Sequence, residues 1–342
     1  MDINLLTGVE AERLNSLIDD ARHIVIFSHR SPDGDAIGSS LGMAAYLRQR
    51  GKEDVKVVVP DMFPNFLQWL PGTMDILRYD KKKEEVEKAA ADADLMLCLD
   101  FNDASRTADV EPLITESKAK KILIDHHLNP MVSVDFTVSH PEACSTCELV
   151  FRLIWQLGGF GQMDAGVAVP IYCGMMTDTG GFTYNSTRPE IFFIISQLLT
   201  KGINKDKIYR NVFNNYSVWR MRLTGYVLYT KLNVQPEYHA AYFTLTRQDL
   251  KHFHFMKGDA EGLVNMPLQI KGVKLSISLR EDTEKLNTVW VSLRSVDDFP
   301  CNRLAEQYFN GGGHLNASGG HLFCSIEEAE RIVNRAIREF RW

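Results

Sequence analysis

The sequence predicts an α/β fold: a parallel sheet with helices on both faces, then a run of helices, then a smaller α/β domain. Three observations carry this. Short, uninterrupted apolar runs recur up to residue 125, separated by segments of helical composition, the pattern of a buried parallel sheet. From about residue 145 to 231 the pattern turns helical. Beyond 231 strand-like alternation returns and ends in an amphipathic helix.

Residues 23–27 form the first apolar run, bounded by a loop holding Pro32 and Gly34. Residues 36–50 read as a helix, 55–59 as a strand, and the charge run 81–88 as a solvated helix face. Strands follow at 95–99 and 121–124. Helices are expected at 146–157, 165–177, 189–200 and 218–231. The second domain has strands at 238–245, 272–279 and 288–293 and a helix at 326–341. The domains are expected to be 1–231 and 232–342, with no Pro/Gly-rich linker between them.

The 342 residues are 45% hydrophobic, enough for about two cores. No stretch approaches the ~20 apolar residues of a membrane span, and the start lacks a basic segment followed by an apolar run. A cytoplasmic location without membrane contact is therefore expected. The six cysteines are scattered, and Cys144 and Cys147 form a lone CxxC without a second pair, which argues for free thiols rather than zinc. The net charge is -6, and residues 232–342 hold 13 Lys+Arg against 14 Asp+Glu. Neither half has the broad basic track that long single strands need.

The chemistry-bearing residues gather at strand ends, where open parallel sheets bind ligands. His29, Asp33 and Asp35 follow the first strand, and Gly34 between the carboxylates permits a tight turn aiming both at one centre. Asp100 follows the strand at 95–99, with Asp103 close behind, and Asp125, His126 and His127 follow the strand at 121–124. Acidic residues at strand ends also cap helices, so each cluster alone is ambiguous. Three at corresponding positions point to a metal site, and Asp plus neutral imidazole suits Mn2+ or Mg2+. Asp178 ends a predicted helix before Gly180 and Gly181, which mark a turn able to return its carboxylate to the site. Farther on, Gly311, Gly312, Gly313 and His314 form a glycine-rich element whose N–H groups could approach an anion. Arg294, followed by Ser295, ends a strand and suits bidentate phosphate binding.

Together these clusters resemble the DHH phosphoesterase superfamily, named for the triad present here as Asp125, His126 and His127. The element at 311–314 resembles the signature of its DHHA1 subfamily. Chain size and motif order are most similar to the bacterial oligoribonuclease and pAp phosphatase (nanoRNase A) type, some of which are named exopolyphosphatase-related. The resemblance implies a mixed sheet in the second domain and a two-manganese site, with Mg2+ as the alternative. His29, Asp33 and Asp100 would hold one ion, and Asp35, Asp100, His126 and Asp178 the other, with Asp100 bridging. Asp125, orienting an imidazole, and His127, beside the substrate phosphate and offsetting its charge, would complete the catalytic group. Arg294, Ser295, Gly311, Gly312, Gly313 and His314 would bind substrate.

The implied reaction is metal-dependent hydrolysis of short oligonucleotides, di- to pentanucleotides, or of 3'-phosphoadenosine 5'-phosphate (pAp). A homodimer is left open. The alternatives are a phosphatase or exopolyphosphatase for a non-nucleotide substrate, against which the glycine-rich element argues, and a non-catalytic nucleotide-binding module, which would lack ligands that are present here.

Overall fold

The computed structural model describes residues 2–256 and 258–341. The chain forms two compact units, residues 1–215 and 216–342. Among the described residues no helix is long and apolar enough to cross a membrane.

The first unit runs α1 (Gly8–Asp20), β1 (His23–Phe27), α2 (Gly34–Gln49), β2 (Asp54–Val59), β3 (Leu77–Arg78), α3 (Lys83–Asp92) and β4 (Leu95–Leu99). It continues through α4 (Glu111–Thr115), β5 (Lys120–Asp125), β6 (Phe136–Ser139), α5 (Thr146–Gln156), α6 (Ala165–Asp178), α7 (Pro189–Leu199) and α8 (Lys205–Phe213). The strands make one parallel sheet in the order β3-β2-β1-β4-β5-β6. Alternate side chains serve two layers, which is why the strands read as unbroken apolar runs. Ile24, Ile26, Leu97, Leu99, Ile122 and Ile124 pack in one core with residues of α1, α2, α5 and α6. Val25, Phe27, Met96, Cys98 and Leu123 pack on the opposite face with Val86, Ala90, Val110 and Ile114.

Two features of this unit position the site. The strand order reverses direction between β1 and β4, so the loops leaving those strands diverge and open a crevice at their carboxyl ends. Helices α2 and α6 run antiparallel in close contact. A Cβ built on Gly34 would lie 2.2 Å from Thr177 Oγ1, one on Gly38 2.5 Å from the Pro170 carbonyl oxygen, and one on Gly42 2.6 Å from Ile171. Gly34 has ordinary helical backbone, so the expected tight turn is absent. Glycine is required there for the approach of α6, which brings the start of α2 to the end of α6.

The second unit contains α9 (Val218–Tyr226), β7 (Asn233–Gln235), β8 (Ala240–Leu245), α10 (Arg247–His252), β9 (Leu275–Glu281) and β10 (Val289–Ser295). Then come α11 (Cys301–Tyr308), β11 (Gly312–His314), β12 (Ala317–Leu322) and α12 (Ile326–Glu339). Its sheet is mixed, ordered β11-β12-β10-β9-β8-β7, with β8 and β9 parallel and the other pairs antiparallel. The division falls ahead of residue 231 because Leu223 and Val227 pack with Phe243, Leu245 and Leu250 of this unit.

The glycine-rich element is not a free loop. Gly312, Gly313 and His314 form an edge strand paired with Gly319, Ser318 and Ala317. A Cβ on Gly311 would meet the Gly319 carbonyl oxygen at 1.9 Å, and one on Gly320 the Phe309 carbonyl oxygen at 2.3 Å. These glycines allow close backbone packing around the hairpin.

Candidate metal centre

Each predicted cluster of the first unit arrives at the crevice on a different element, and local backbone chemistry fixes its aim. Asp33 caps α2: its Oδ1 accepts from the N–H groups of Asp35 (3.0 Å) and Ala36 (3.1 Å). Asp35, 1% exposed, takes N–H bonds from the first turn of α5, with Thr146 N donating to Oδ2 at 2.6 Å and Cys147 N to Oδ1 at 2.9 Å. A helix N-terminus favours a carboxylate there. Asp100 leaves β4 with φ of 66°, a left-handed conformation that Asp tolerates better than most residues and that recurs at functional sites. Its Oδ1 accepts from the Thr146 hydroxyl at 3.0 Å.

The imidazoles are held by their Nδ1 atoms. His29 Nδ1 donates to the Arg30 carbonyl (2.8 Å) and His126 Nδ1 to the Ala143 carbonyl (3.2 Å), which turns both Nε2 atoms toward the carboxylates. His29 Nε2 is 3.4 Å from Asp100 Oδ2. His126 Nε2 is 3.8 Å from Asp35, 3.6 Å from Asp100 and 3.6 Å from Asp178. His127 Nδ1 donates to Asp125 Oδ1 at 2.7 Å.

Three groups of donor atoms result within the first unit: His29, Asp33 and Asp100; Asp35, Asp100 and His126; and Asp100, Asp125 and His127, each with its atoms within 4.8 Å of one another. Asp100 belongs to all three, and Asp178 adjoins the second through His126. Asp103 stays outside, capping a short helical turn through Ser105 N. The cysteines join no such group among the described residues, and all six are free thiols. Cys147 contributes its backbone N–H, while its sulfur occupies the space left open by Gly38 and Gly174.

The electrostatics of the cluster suit a bound cation. Burial, then the charges of Asp35, Asp33 and Asp178, hold the Asp100 carboxyl well above the usual carboxylate range. Burial, reinforced by Asp33, raises Asp35. Asp33 goes the other way: burial would raise it, but His29, the Ala36 N–H, His127 and Arg106 outweigh burial. Burial would lower His126, yet Asp178, Asp100, Asp35 and Asp125 raise it to about 9. For His127, burial together with Arg106, His126 and His29 pushes the pKa far below its ordinary value. A small volume holding carboxylates that raise each other's pKa, faced by imidazole Nε2 atoms, fits hard or borderline divalent cations.

In the second unit Arg294 and His314 both pair with Ala317 from adjacent strands, so all three share one sheet register. Ser295 is buried, and its hydroxyl donates to the Phe299 carbonyl (2.7 Å) and accepts from Asn316 Nδ2 (3.0 Å), fixing the loop after β10. Gly311 N donates to the Ala305 carbonyl.

Sequence reasoning missed three contributors. Thr146 and Cys147 act mainly through backbone N–H groups, which carry no residue signature. Arg106, in the short helical turn that Asp103 caps, places positive charge near Asp33 and His127. An arginine soon after a strand-end Asp was a usable signal.

A reversal-point crevice lined by Asp and His donors in one unit, and a mixed sheet in the other, are the two parts of a DHH-type phosphoesterase. The chain belongs to the DHH family: the family model for the DHH family N-terminal domain matches residues 23–175, and the DHHA1 domain matches 237–341. The bifunctional oligoribonuclease and PAP phosphatase NrnA of Thermus thermophilus is 32% identical over 319 residues, spanning 92% of this chain and 89% of that one. Its Bacillus subtilis namesake is 26% identical over 314 residues, spanning 91% and 92%. The crystal structure of an exopolyphosphatase-related protein from Bacteroides fragilis superposes with a TM-score of 0.92 at 50% identity, covering 98% of both chains.

Proposed function

We propose that this protein hydrolyses phosphoester bonds in short oligonucleotides, di- to pentanucleotides, and in pAp, using two divalent ions with Mn2+ preferred. The observation that carries this reading is Asp100, shared by all three groups of Asp and His donors at the reversal point of the sheet. The relatives named as oligoribonucleases and PAP phosphatases supply the substrate class.

His29, Asp33 and Asp100 would hold one ion, and Asp35, Asp100, His126 and Asp178 the other. Ions so held lower the pKa of a bound water and offset phosphoryl charge. The remaining work falls to the protein. The N–H groups of Thr146 and Cys147 fix Asp35 in one orientation, and the carbonyls of Arg30 and Ala143 fix the tautomers of His29 and His126. The Nδ1 bond to Asp125 fixes the His127 ring, which would lie beside the substrate phosphate. Arg294 and His314 would hold substrate phosphate, with Ser295 and the close-packed Gly311, Gly312 and Gly313 keeping that edge in shape.

The test is reconstitution. Chelator-treated protein should hydrolyse neither pAp nor dinucleotides, and Mn2+ should restore activity better than Ca2+. Full activity without metal, or preference for inorganic polyphosphate over pAp, would overturn the reading.

A further inference from the structure

Behind the donor cluster lies a buried ion network that none of the roles above uses. Glu148, 0% exposed, sits in the first turn of α5. Arg188 Nη2 donates to both of its carboxylate oxygens, at 2.7 and 2.6 Å, and Arg152 Nη1 to Oε1 at 3.2 Å. Glu148 Oε2 also accepts from Cys144 N at 2.8 Å. The turn it clamps, residues 143–147, reaches three of the proposed ligands: the Ala143 carbonyl holds His126, Thr146 holds Asp35 and Asp100, and Cys147 N holds Asp35. Arg188 itself closes the segment after Asp178, an irregular turn in which Gly180, Gly181, Phe182 and Asn185 all have positive φ, and it precedes the first residue of α7.

We propose that Arg188 is a positioning residue for the metal centre. Through Glu148 it ties the segment following Asp178 to the turn that orients Asp35, Asp100 and His126. The proposal rests on the two-metal reading. Arg188 acts by geometry and charge: its Nη2 alone bridges both carboxylate oxygens of Glu148 and holds that side chain in one orientation. Loss of an outer partner that orients metal ligands costs about 10–100-fold in metal affinity.

The test is Mn2+ affinity of the full chain, read by competition with a chromophoric chelator, for wild type, Arg188→Ala and Arg188→Lys, alongside circular dichroism and thermal melts. Arg188→Ala should weaken binding about 10–100-fold, with Arg188→Lys between it and wild type and kcat largely restored at saturating metal. A lower Tm with Mn2+ affinity within twofold of wild type would reduce the network to a structural ion pair and overturn the proposal. Should Arg188→Ala fail to fold, Arg188→Lys decides by the same criterion. A wild type that binds no divalent ion would instead sink the two-metal reading.

Discussion

Replacing Gly34 by alanine tests whether the approach of α2 to α6 sets the site. The added Cβ would sit 2.2 Å from Thr177 Oγ1 and 2.7 Å from both Cβ and Cγ2 of Thr177. Turning the threonine does not help, because its own Cβ is one of the clashing atoms. Moving the nearest contact out to the ordinary 3.4 Å requires about 1.2 Å of separation between the helices. Asp33 and Asp35 flank the glycine and Asp178 follows the threonine, so the same movement parts proposed ligands of one centre. Alanine favours a helix interior over glycine by up to ~1 kcal/mol, whereas overpacking costs ~1–3 kcal/mol. The fold should therefore survive with a loss of about 1–2 kcal/mol, while a misplacement near 1 Å should lower kcat on the order of 100-fold. The assay is hydrolysis of pAp at saturating Mn2+ beside a denaturant melt, and the Gly34→Ala/Thr177→Gly double variant should recover part of the activity. Wild-type kcat and stability in Gly34→Ala would refute the reasoning.

Two further perturbations separate chemistry from folding. Asparagine tolerates the left-handed backbone of residue 100, so Asp100→Asn should fold yet lose more activity than the roughly 10–100-fold of an outer-partner loss, measured at saturating metal. In the second unit, burial would raise Asp249, but the Thr246 N–H, Lys231, the Thr246 hydroxyl and the Tyr226 hydroxyl together hold it below 3.8. A depressed carboxyl stabilises the fold above its ordinary value of 3.8 and loses that contribution as pH falls through the folded value. Asp249→Asn should therefore cost about 1–3 kcal/mol at pH 7, and melts at descending pH should show the gap to wild type closing below 3.8.

What could be read beforehand follows from how each feature is encoded. The strands ending at Phe27, Leu99 and Asp125 are buried on both faces, so they read as apolar runs, and the residues after them marked the crevice. The edge strands Leu77–Arg78 and Asn233–Gln235 have no such pattern, being two and three residues long and without a run of buried apolar side chains. Helix α1 did carry a signal, the Thr7–Glu10 capping box. Gly34 was legible as important but not why, since its reason lies on α6, far along the chain. The 311–314 element suggested an anion loop because consecutive glycines permit one, whereas tertiary pairing uses them to bring backbones together. The clamp of residues 143–148 on the ligands runs through N–H and C=O groups that every residue possesses.

The most direct test of the whole account is kcat/KM against substrate length, from pAp and a dinucleotide through a pentanucleotide to a long RNA, for the Mn2+-loaded wild type and Arg294→Ala. Residues 232–342 carry 13 Lys+Arg against 14 Asp+Glu within a chain of net charge -6, so attraction for phosphate should be local. The account predicts high efficiency on pAp and short oligonucleotides, a steep fall on long RNA, and a raised KM with metal still bound in Arg294→Ala. Efficiency that stays level or rises with length in the wild type would contradict it.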